Sequence, residues 1–469
     1  MLLYITELSK YFILILMIFY MVGAFRSVFT KKGNSALYIR QEIYLFLIQF
    51  LAYATICLKT GKLEYLFFYA ILQIVIFAGI VLYQTIYPGI DKGLLNNMML
   101  LLSLGFIILT RLDFTKAVKQ LFIVGVSLVI SFFVPFIIRN FSFLRRLKWI
   151  YVAIGITALA IVLILGQVTN GAKNFYSIGG VTIQPSEFVK VIFIFGIAGL
   201  LYHNKRFATY VLSAIVAAMH VLILVVSKDL GSALIFFVTY MAMLLVASKN
   251  YLYLGMGLLA GSGAAVVANK IFTHVQVRVQ AFLDPFSVID KEGYQITQSL
   301  FAIVCGGFFG TGLLKGVPDD IPYVESDFIF SAIAEEMGVL TAVCLLLICV
   351  ACFLTFMKNA MKVEDAFYRL VCVGLGVMYL FQVFLTVGGG IKFIPLTGVT
   401  LPFVSYGGSS VLVSIVVFAI LQGIVLRIKD EKEESMMDDD VYGDEYDEED
   451  EDSDDDKEDE DDDEAEWEE

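Results

Sequence analysis

About thirteen apolar runs, each long enough to cross a lipid bilayer, follow one another through the first 430 residues of this chain. A helix needs roughly 20 apolar residues to cross the hydrocarbon core, where its backbone hydrogen bonds must close internally. The chain is 59% hydrophobic and its mean hydropathy is +0.80. The sequence therefore predicts an all-α, polytopic membrane helix bundle. The predicted spans are residues 11–29, 42–58, 64–86, 94–110, 117–138, 148–168, 186–203, 208–226, 230–247, 251–271, 338–357, 366–388 and 401–427.

Acidic residues are concentrated at the C-terminus. Of 46 Asp and Glu, 28 lie in residues 430–469, so the formal net charge of −13 describes this tail and the remaining body is basic. A basic body suits an anionic bilayer. The tail has too few apolar residues to bury a core, which predicts a disordered segment. A solvated extension and a docking segment for a basic partner both remain open.

Lys and Arg in the short loops predict the orientation. If the tail is inside, the inner loops hold twice as many of these residues as the outer segments. Cytoplasmic loops are enriched in Lys and Arg, so the C-terminus is predicted to be cytoplasmic, and an odd number of spans places the N-terminus outside. The six cysteines lie mostly in apolar runs and lack the spacing of a metal site or a disulfide framework.

One predicted outer segment, residues 272–337, is far longer than a helix-to-helix connection requires. Its composition is not that of a disordered segment, because aromatic and aliphatic residues occur throughout. The stretch 295–314 is apolar but interrupted by glycines, which favours a re-entrant or interfacial helix over a full span. We therefore expect the functional site on this outer face.

Polar and charged residues at the ends of apolar helices are candidate site residues, because charge near membrane depth is costly. Each also has a structural explanation: helix capping for the carboxylates, and close helix approach for the small residues of the last motif. Two adjacent carboxylates before an apolar helix are harder to explain by packing. These candidates are Glu187, Lys190, Asp229, Asp327, Glu335 with its neighbour Glu336, and Ser405.

The stretch 277–300 offers the most reactive combination of side chains. A carboxylate held beside basic groups can take a proton from a hydroxyl, and Arg or Lys can hold a phosphate. Its candidates are Arg278, Asp284, Asp290, Tyr294 and Gln298. By itself this pattern does not specify a reaction.

Five motifs occur in order over residues 94–427. They read QPSE-x-x-K, R-V-x-A-F-x-D-P…GYQ-x-x-QSL-x-A-I, GG-x-x-G-x-G, SDFIFSAIAEE-x-G and P-L-x-G-x-x-LP-x-VSYGGSS. This set closely resembles the SEDS family of shape, elongation, division and sporulation proteins (FtsW, RodA and SpoVE). The resemblance implies a ten-helix core over residues 91–429 with a large extracytoplasmic loop, 272–337. Residues 1–90 would then add three N-terminal helices, and 430–469 would form the cytoplasmic tail.

The resemblance also implies an activity. Members are peptidoglycan glycosyltransferases of the bacterial plasma membrane, which polymerise lipid II with inversion and release undecaprenyl diphosphate. They serve cell division, elongation or sporulation. The implied partners are a class B penicillin-binding protein (the transpeptidase), other division or elongation proteins and membrane lipid, but not nucleic acid. No cofactor is certain, and a divalent cation stays open.

One position departs from the family pattern. Members carry the proposed catalytic Asp where this chain has Val288. We expect Asp290 to act as the base in its place, with Asp284 as the second candidate. Two other functions remain open: a lipid II flippase, and a non-catalytic scaffold that recruits the transpeptidase. The expected substrate-binding residues are Arg278, Lys190, Glu187, Asp229, Gln298, Asp327, Glu335 and Ser405.

The orientation gives the first testable prediction. An N-terminal tag should react with a membrane-impermeant reagent in intact cells, whereas a tag after residue 430 should react only once the membrane is opened. The physical reason is the excess of Lys and Arg in the loops on the tail side. A protected N-terminal tag would contradict the thirteen-span prediction and favour twelve or fourteen spans.

Overall fold

The computed structural model describes residues 2–30, 35–169, 172–178, 181–203, 206–290 and 293–451. Across these residues the chain is a bundle of α-helices joined mostly by short connections. The helices are α1 (Leu2–Phe29), α2 (Ser35–Thr60), α3 (Leu63–Ile86), α4 (Lys92–Leu112), α5 (Phe114–Asn140), α6 (Lys148–Leu165), α7 (Pro185–Leu201), α8 (Phe207–Val226), α9 (Leu230–Ser248), α10 (Tyr251–Ile271), α11 (Thr273–Leu283), α12 (Tyr294–Gly306), α13 (Ile329–Met337), α14 (Val339–Ala360), α15 (Ala366–Gly390) and α16 (Gly408–Glu451).

Twelve helices in the described part of the chain are long and apolar enough to cross a membrane. Helix α7 has 17 residues and is about 25 Å long, one residue shorter than α6, the shortest of these twelve. The bundle has two ends. The loop end carries residues 272–337 and the start of α1, where Lys10 contacts Gly310. The tail end carries Asp430, which pairs with Arg139. The start of α1 and Asp430 thus lie at opposite ends of the bundle, which requires an odd number of crossings between them. Counting α7 with the twelve longer helices gives thirteen.

The first three helices pack directly onto the rest of the bundle. Helix α1 lies against α2 and α14, and α2 and α3 both contact α4. Residues 93–110 of α4 are all buried as a result. Polar side chains join the two parts inside the bundle: the Tyr20 hydroxyl donates to Asn97 Oδ1 (3.1 Å), and the Tyr83 hydroxyl donates to Ser131 Oγ (2.7 Å). Such interhelical bonds contribute about 0.6–2 kcal/mol each.

Three short strands lie between α6 and α7, where the sequence predicts only helices and loops. They are β1 (Gln167–Thr169), β2 (Ala172–Ile178) and β3 (Val181–Ile183), paired antiparallel in the order β1-β2-β3. The sequence contained the signal, because Asn-Gly separates the first pair and Gly-Gly the second, and such dipeptides favour two-residue hairpin loops. The sheet is a small addition to an otherwise α-helical fold.

The long connection between α10 and α14 is well structured. It contains α11, α12, α13 and two 3-10 turns, Phe286–Val288 and Pro318–Asp320. Helix α12 has 13 residues, too few for a span, and ends where Gly307 takes a left-handed conformation (φ +56°). This agrees with the prediction of a short, glycine-interrupted helix.

The last helix extends further than the sequence predicts. Disorder is expected from residue 430, but α16 continues to Glu451. The physical reason is that the apolar part of α16 already supplies a helical nucleus, and extending an existing helix avoids the nucleation cost. Residues 452–469 of the predicted disordered tail lie outside the described residues.

A close approach of α4 to the chain before α16 yields the second prediction. A Cβ on Gly105 would lie 2.6 Å from the carbonyl oxygen of Val404 and 2.9 Å from its Cα. We expect Gly105→Ala to destabilise the protein by about 1–3 kcal/mol, since overpacking a tight contact forces the backbone apart. Thermal unfolding in detergent measures the effect. Gly125→Ala is the matched control, because no atom lies within 4 Å of its Cβ position. Equal melting temperatures for both variants would contradict the close packing of α4.

Candidate functional site

A buried lysine lies at the centre of the candidate site. Lys190 on α7 is 2% exposed, and its Nζ donates to Glu187 Oε1 (2.8 Å) and to Gln382 Oε1 of α15 (2.9 Å). Glu187 precedes Lys190 by one helical turn, so the QPSE-x-x-K spacing places both on one face of α7. We call Lys190, Glu187 and Gln382 the lysine cluster. A buried charge is tolerated only when it is paired and hydrogen-bonded, and these two acceptors meet that requirement.

Asp229 lies beside the start of the same helix. Its carboxylate caps α9 by accepting from the backbone N–H of Ser232 (3.0 Å), and Oδ2 accepts from the Ser232 hydroxyl (2.9 Å). The same Oδ2 accepts from the Ser186 hydroxyl at 3.3 Å. The N-capping role that the sequence predicts for Asp229 is therefore present, and it also ties α9 to the first turn of α7.

The connection between α15 and α16, residues 391–407, brings the two halves of the site together. We call it the strap. Gln382 of the lysine cluster donates through Nε2 to the carbonyl of Thr400 (3.1 Å), and Arg278 donates through Nη1 to the carbonyl of Thr397 (3.1 Å). A Cβ on Gly398 would lie 3.6 Å from Asp327 Oδ2 and 3.9 Å from Arg278 Nη2. The strap thus contacts Arg278, Asp327 and the lysine cluster within four residues.

Arg278 is close to two carboxylates. Burial lowers the pKa of its guanidinium, and the negative charges of Asp229 and Asp327 oppose that shift. Burial also raises the pKa of Asp327 to about 6, against the opposing effect of Arg278. Both groups lie at the loop end, outside the membrane-spanning helices. The structure therefore places Arg278 and Asp327, which are 49 residues apart in sequence, in one partly buried, charged region.

The two candidate bases lie on the connection after α11. Asp284 is exposed and shapes a turn: its Oδ1 accepts from the backbone N–H of Ser287 (3.3 Å) and its carbonyl accepts from the Ser287 hydroxyl (2.9 Å). Asp290 is exposed two residues beyond the half-buried Val288. The turn-forming explanation for Asp284 is thus present in the structure, whereas the role of the exposed Asp290 stays a prediction.

Three further candidates are Gln298, Ser405 of the strap and Glu335. Gln298 is half-buried on α12. Ser405 is buried and joins two backbone segments, because its hydroxyl donates to the carbonyl of Ser326 and accepts from the N–H of Leu401. Glu335 accepts from the N–H of Val317 (2.8 Å). These contacts hold the loop in place, and substrate binding by these residues stays a prediction.

Glu335 and its neighbour belong to a second charged cluster that the sequence did not reveal. Arg111 at the end of α4 donates to Glu336 Oε1 (2.7 Å), to the carbonyl of Gly316 (3.0 Å) and to Asp319. Burial raises the pKa of Glu335 and that of Glu336, and Arg111 opposes both shifts. The cluster attaches the loop to α4.

Two residues of the site were missed by sequence reasoning. Gln382 lies inside the predicted span 366–388, and Arg111 lies in the short loop after the predicted span 94–110. The signal for Gln382 was a single amide in the middle of a long apolar run, since such a group inside a bundle must find partners. For Arg111 the signal was weaker, because an arginine at a helix end usually extends to the membrane surface.

The candidate site combines positively charged groups with carboxylates at the loop end. Lys190 and Arg278 supply positive charge, and the carboxylates of the loop can accept a proton. Among the described residues, no group of three or more His, Cys, Asp or Glu is arranged to hold a metal ion. The arrangement fits transfer of a group from a phosphate-bearing carrier.

Fold and site together define a polytopic membrane protein whose candidate site lies at one end of the bundle, beside a structured loop. A family model described as a cell cycle protein of the FtsW/RodA/SpoVE type matches residues 92–434. The chain belongs to this family, as the motifs indicated. Residues 1–91 lie outside the match.

Named relatives support the assignment. The chain is 33% identical over 371 residues to "Peptidoglycan glycosyltransferase RodA" of Mycobacterium bovis, covering 72% of this chain and 78% of that protein. It is 29% identical over 357 residues to "Probable peptidoglycan glycosyltransferase FtsW" of Pseudoalteromonas translucida, covering 72% and 89%.

Solved structures share the fold. A chain from a peptidoglycan synthase complex that coordinates polymerization and crosslinking matches with a TM-score of 0.62 and 26% identity, over 73% of this chain and 99% of that one. A variant of the Rod shape determining protein RodA from Thermus thermophilus matches with a TM-score of 0.56 and 25% identity, over 73% and 99%. The shared part leaves about a quarter of this chain uncovered.

The lysine cluster yields the third prediction. We expect Lys190→Met to destabilise the protein by about 3–5 kcal/mol, because it leaves the Glu187 carboxylate buried without its partner. Adding Glu187→Leu should recover much of that loss, since both charges are then removed. Thermal unfolding of the two single variants and the double variant measures the coupling. A double variant whose loss equals the sum of the single losses would show that the pair is not coupled.

Proposed function

We propose that this chain is a peptidoglycan glycosyltransferase that polymerises lipid II at the loop end of the bundle. One observation carries the proposal: Lys190, through Gln382, and Arg278 are attached to the same strap, beside a loop that exposes two carboxylates. The motifs that hold these groups are those of a family whose named relatives carry this activity. A lipid carrier also requires a membrane-embedded protein, which this chain is.

The proposed reaction is a single displacement with inversion. The 4-hydroxyl oxygen of the acceptor sugar bonds to C1 of the donor, and its proton passes to a carboxylate. The bond between C1 and the diphosphate oxygen breaks, and both electrons leave with undecaprenyl diphosphate. Arg278 and Lys190 supply positive charge for that leaving group, because guanidinium and ammonium groups stabilise phosphate oxygens.

Asp290 is the proposed base. Val288, at the family's Asp position, carries no ionisable group, and Asp284 is engaged in the turn with Ser287. A base must come within about 3 Å of the acceptor hydroxyl or act through one water. Asp290 is exposed on the same short connection, so a small shift of the loop supplies that reach.

The partner and orientation follow from the same proposal. We propose a class B penicillin-binding protein as partner, since the matched solved chain belongs to a peptidoglycan synthase complex. We also propose a cytoplasmic tail end, so that the loop end faces the side on which glycan strands are assembled. The excess of Lys and Arg in the tail-end loops supports this orientation.

The function is tested with the purified protein and labelled lipid II in lipid vesicles. Glycan strands are expected. Transbilayer movement of lipid II without strands would favour the flippase. If the protein made no strands and moved no lipid II but still bound the transpeptidase, the scaffold would be favoured. Parallel reactions with Mg²⁺, Mn²⁺ and a chelator test whether a divalent cation takes part.

The fourth prediction concerns the base. Asp290→Asn should lower strand synthesis about a hundredfold, the usual effect of losing a general base. Asp284→Asn should cost less, because it weakens only a turn contact. If Asp284→Asn lost activity while Asp290→Asn kept it, the assignment would be wrong. If the parent made no strands, Val288→Asp would test whether the family's carboxylate restores them.

A further inference from the structure

A glycine-rich turn follows α12 in the loop. We call residues 307–316 the glycine turn. Its backbone N–H groups at Thr311 and Gly312 donate to the carbonyls of Glu335 (2.9 Å) and Glu336 (2.8 Å) at the end of α13. Gly310 and Gly312 take left-handed conformations (φ +79° and +100°) that other residues rarely adopt. The turn therefore has a defined shape, and two of its own carbonyls, those of Gly310 and Leu313, accept from side chains of other helices.

Two lysines from outside the family match bind these carbonyls. Lys10 of α1 donates through Nζ to the carbonyl of Gly310 (2.8 Å), and Lys59 at the end of α2 donates to the carbonyl of Leu313. Glu7 of α1 also pairs with Lys315. These partners are about 250 to 300 residues apart in sequence, so the contacts exist only because α1 and α2 pack on the core.

The helices that carry the two lysines are hydrogen-bonded to α4. Tyr20 ties α1 to Asn97 of α4, and the hydroxyls of Tyr53 and Thr110 tie α2 to the same helix (2.9 Å). The negative charge of the Glu336 carboxylate, which pairs with Arg111, also attracts the Lys59 ammonium group. Ammonium groups that donate to otherwise unpaired carbonyls at a bundle end satisfy both donors and acceptors.

Helix α12 connects the glycine turn to the segment that carries Asp290, so a shift of the turn would also displace that segment. The C-terminus of α12 enters the turn, and its N-terminus is preceded by Gly293, whose N–H donates to the carbonyl of Val288 (3.0 Å). A Cβ on Gly293 would lie 2.1 Å from the carbonyl oxygen of Pro285, so the base-bearing connection packs tightly against the start of α12. Fixing one end of α12 therefore fixes the connection at its other end.

We propose that residues 1–90 are a built-in clamp on the glycine turn, with Lys10 and Lys59 as positioning residues for the site. Their effect on catalysis rests on the proposed function, whereas their effect on the turn does not. The clamp replaces water at the Gly310 and Leu313 carbonyls with fixed donors. It thereby holds α12, and with it Asp290, in one place.

The test combines a structural and a kinetic readout on the full-length protein in lipid nanodiscs. Hydrogen exchange at Thr311 and Gly312 should speed up about tenfold or more in Lys10→Met/Lys59→Met, because the turn then loses two charge-assisted hydrogen bonds that hold its carbonyls. Lys10→Arg/Lys59→Arg should restore slow exchange. Lys62→Met is the matched control, since Lys62 is an exposed lysine just after α2 whose contacts, with Glu64 and the Tyr65 ring, lie outside the glycine turn.

Strand synthesis separates the two parts of the proposal. With the methionine pair, kcat should fall at least tenfold while KM for lipid II changes little, and the arginine pair should recover kcat. Unchanged exchange would overturn the clamp. Faster exchange with unchanged kcat would overturn the positioning role. An inactive parent would count against the proposed function, and the exchange result would still decide the clamp. If the methionine pair does not fold, Lys10→Met alone gives the same comparison.

Discussion

An ammonium group inside an apolar bundle must find other groups to replace its lost water, and this constraint organises the site. Lys190 is satisfied by Glu187 from its own helix and by Gln382 from α15. Gln382 then holds the strap through Thr400. Because the strap also binds Arg278 and borders Asp327, the positions of these two charged groups are connected to how this lysine is accommodated.

A second constraint is the enclosure of α4. The helix is buried on all sides over residues 93–110 because α1 to α3 cover the face that would otherwise meet lipid. Hydrophobic surface alone does not drive helix association in a bilayer, so the buried tyrosine, asparagine and serine pairs supply specificity for this packing. Helices α1 to α3 are therefore an integral part of the bundle, and the lysines of α1 and α2 extend that role to the loop.

Much of the site could be predicted from residues one helical turn apart. Glu187 and Lys190 share a helix face by spacing, and Asp229 precedes a helix in the position of an N-cap, so local geometry brought each to its place. The contacts of Arg111 with Asp319, and of Lys10 with Gly310, could not be predicted in this way. They join segments 200 or more residues apart, and no local pattern encodes which helices become neighbours.

The sequence by itself determined that the chain is a helical membrane bundle, because long apolar runs leave the backbone no other way to close its hydrogen bonds. It also determined the family, through motifs that survive as ordered strings of residues. The tertiary structure alone decided that α1 and α2 reach the loop, that Gln382 completes the lysine cluster and that Arg278 lies near Asp327. The reason is physical: a span's hydrophobicity specifies that it crosses the membrane, but only side-chain packing between spans specifies its neighbours.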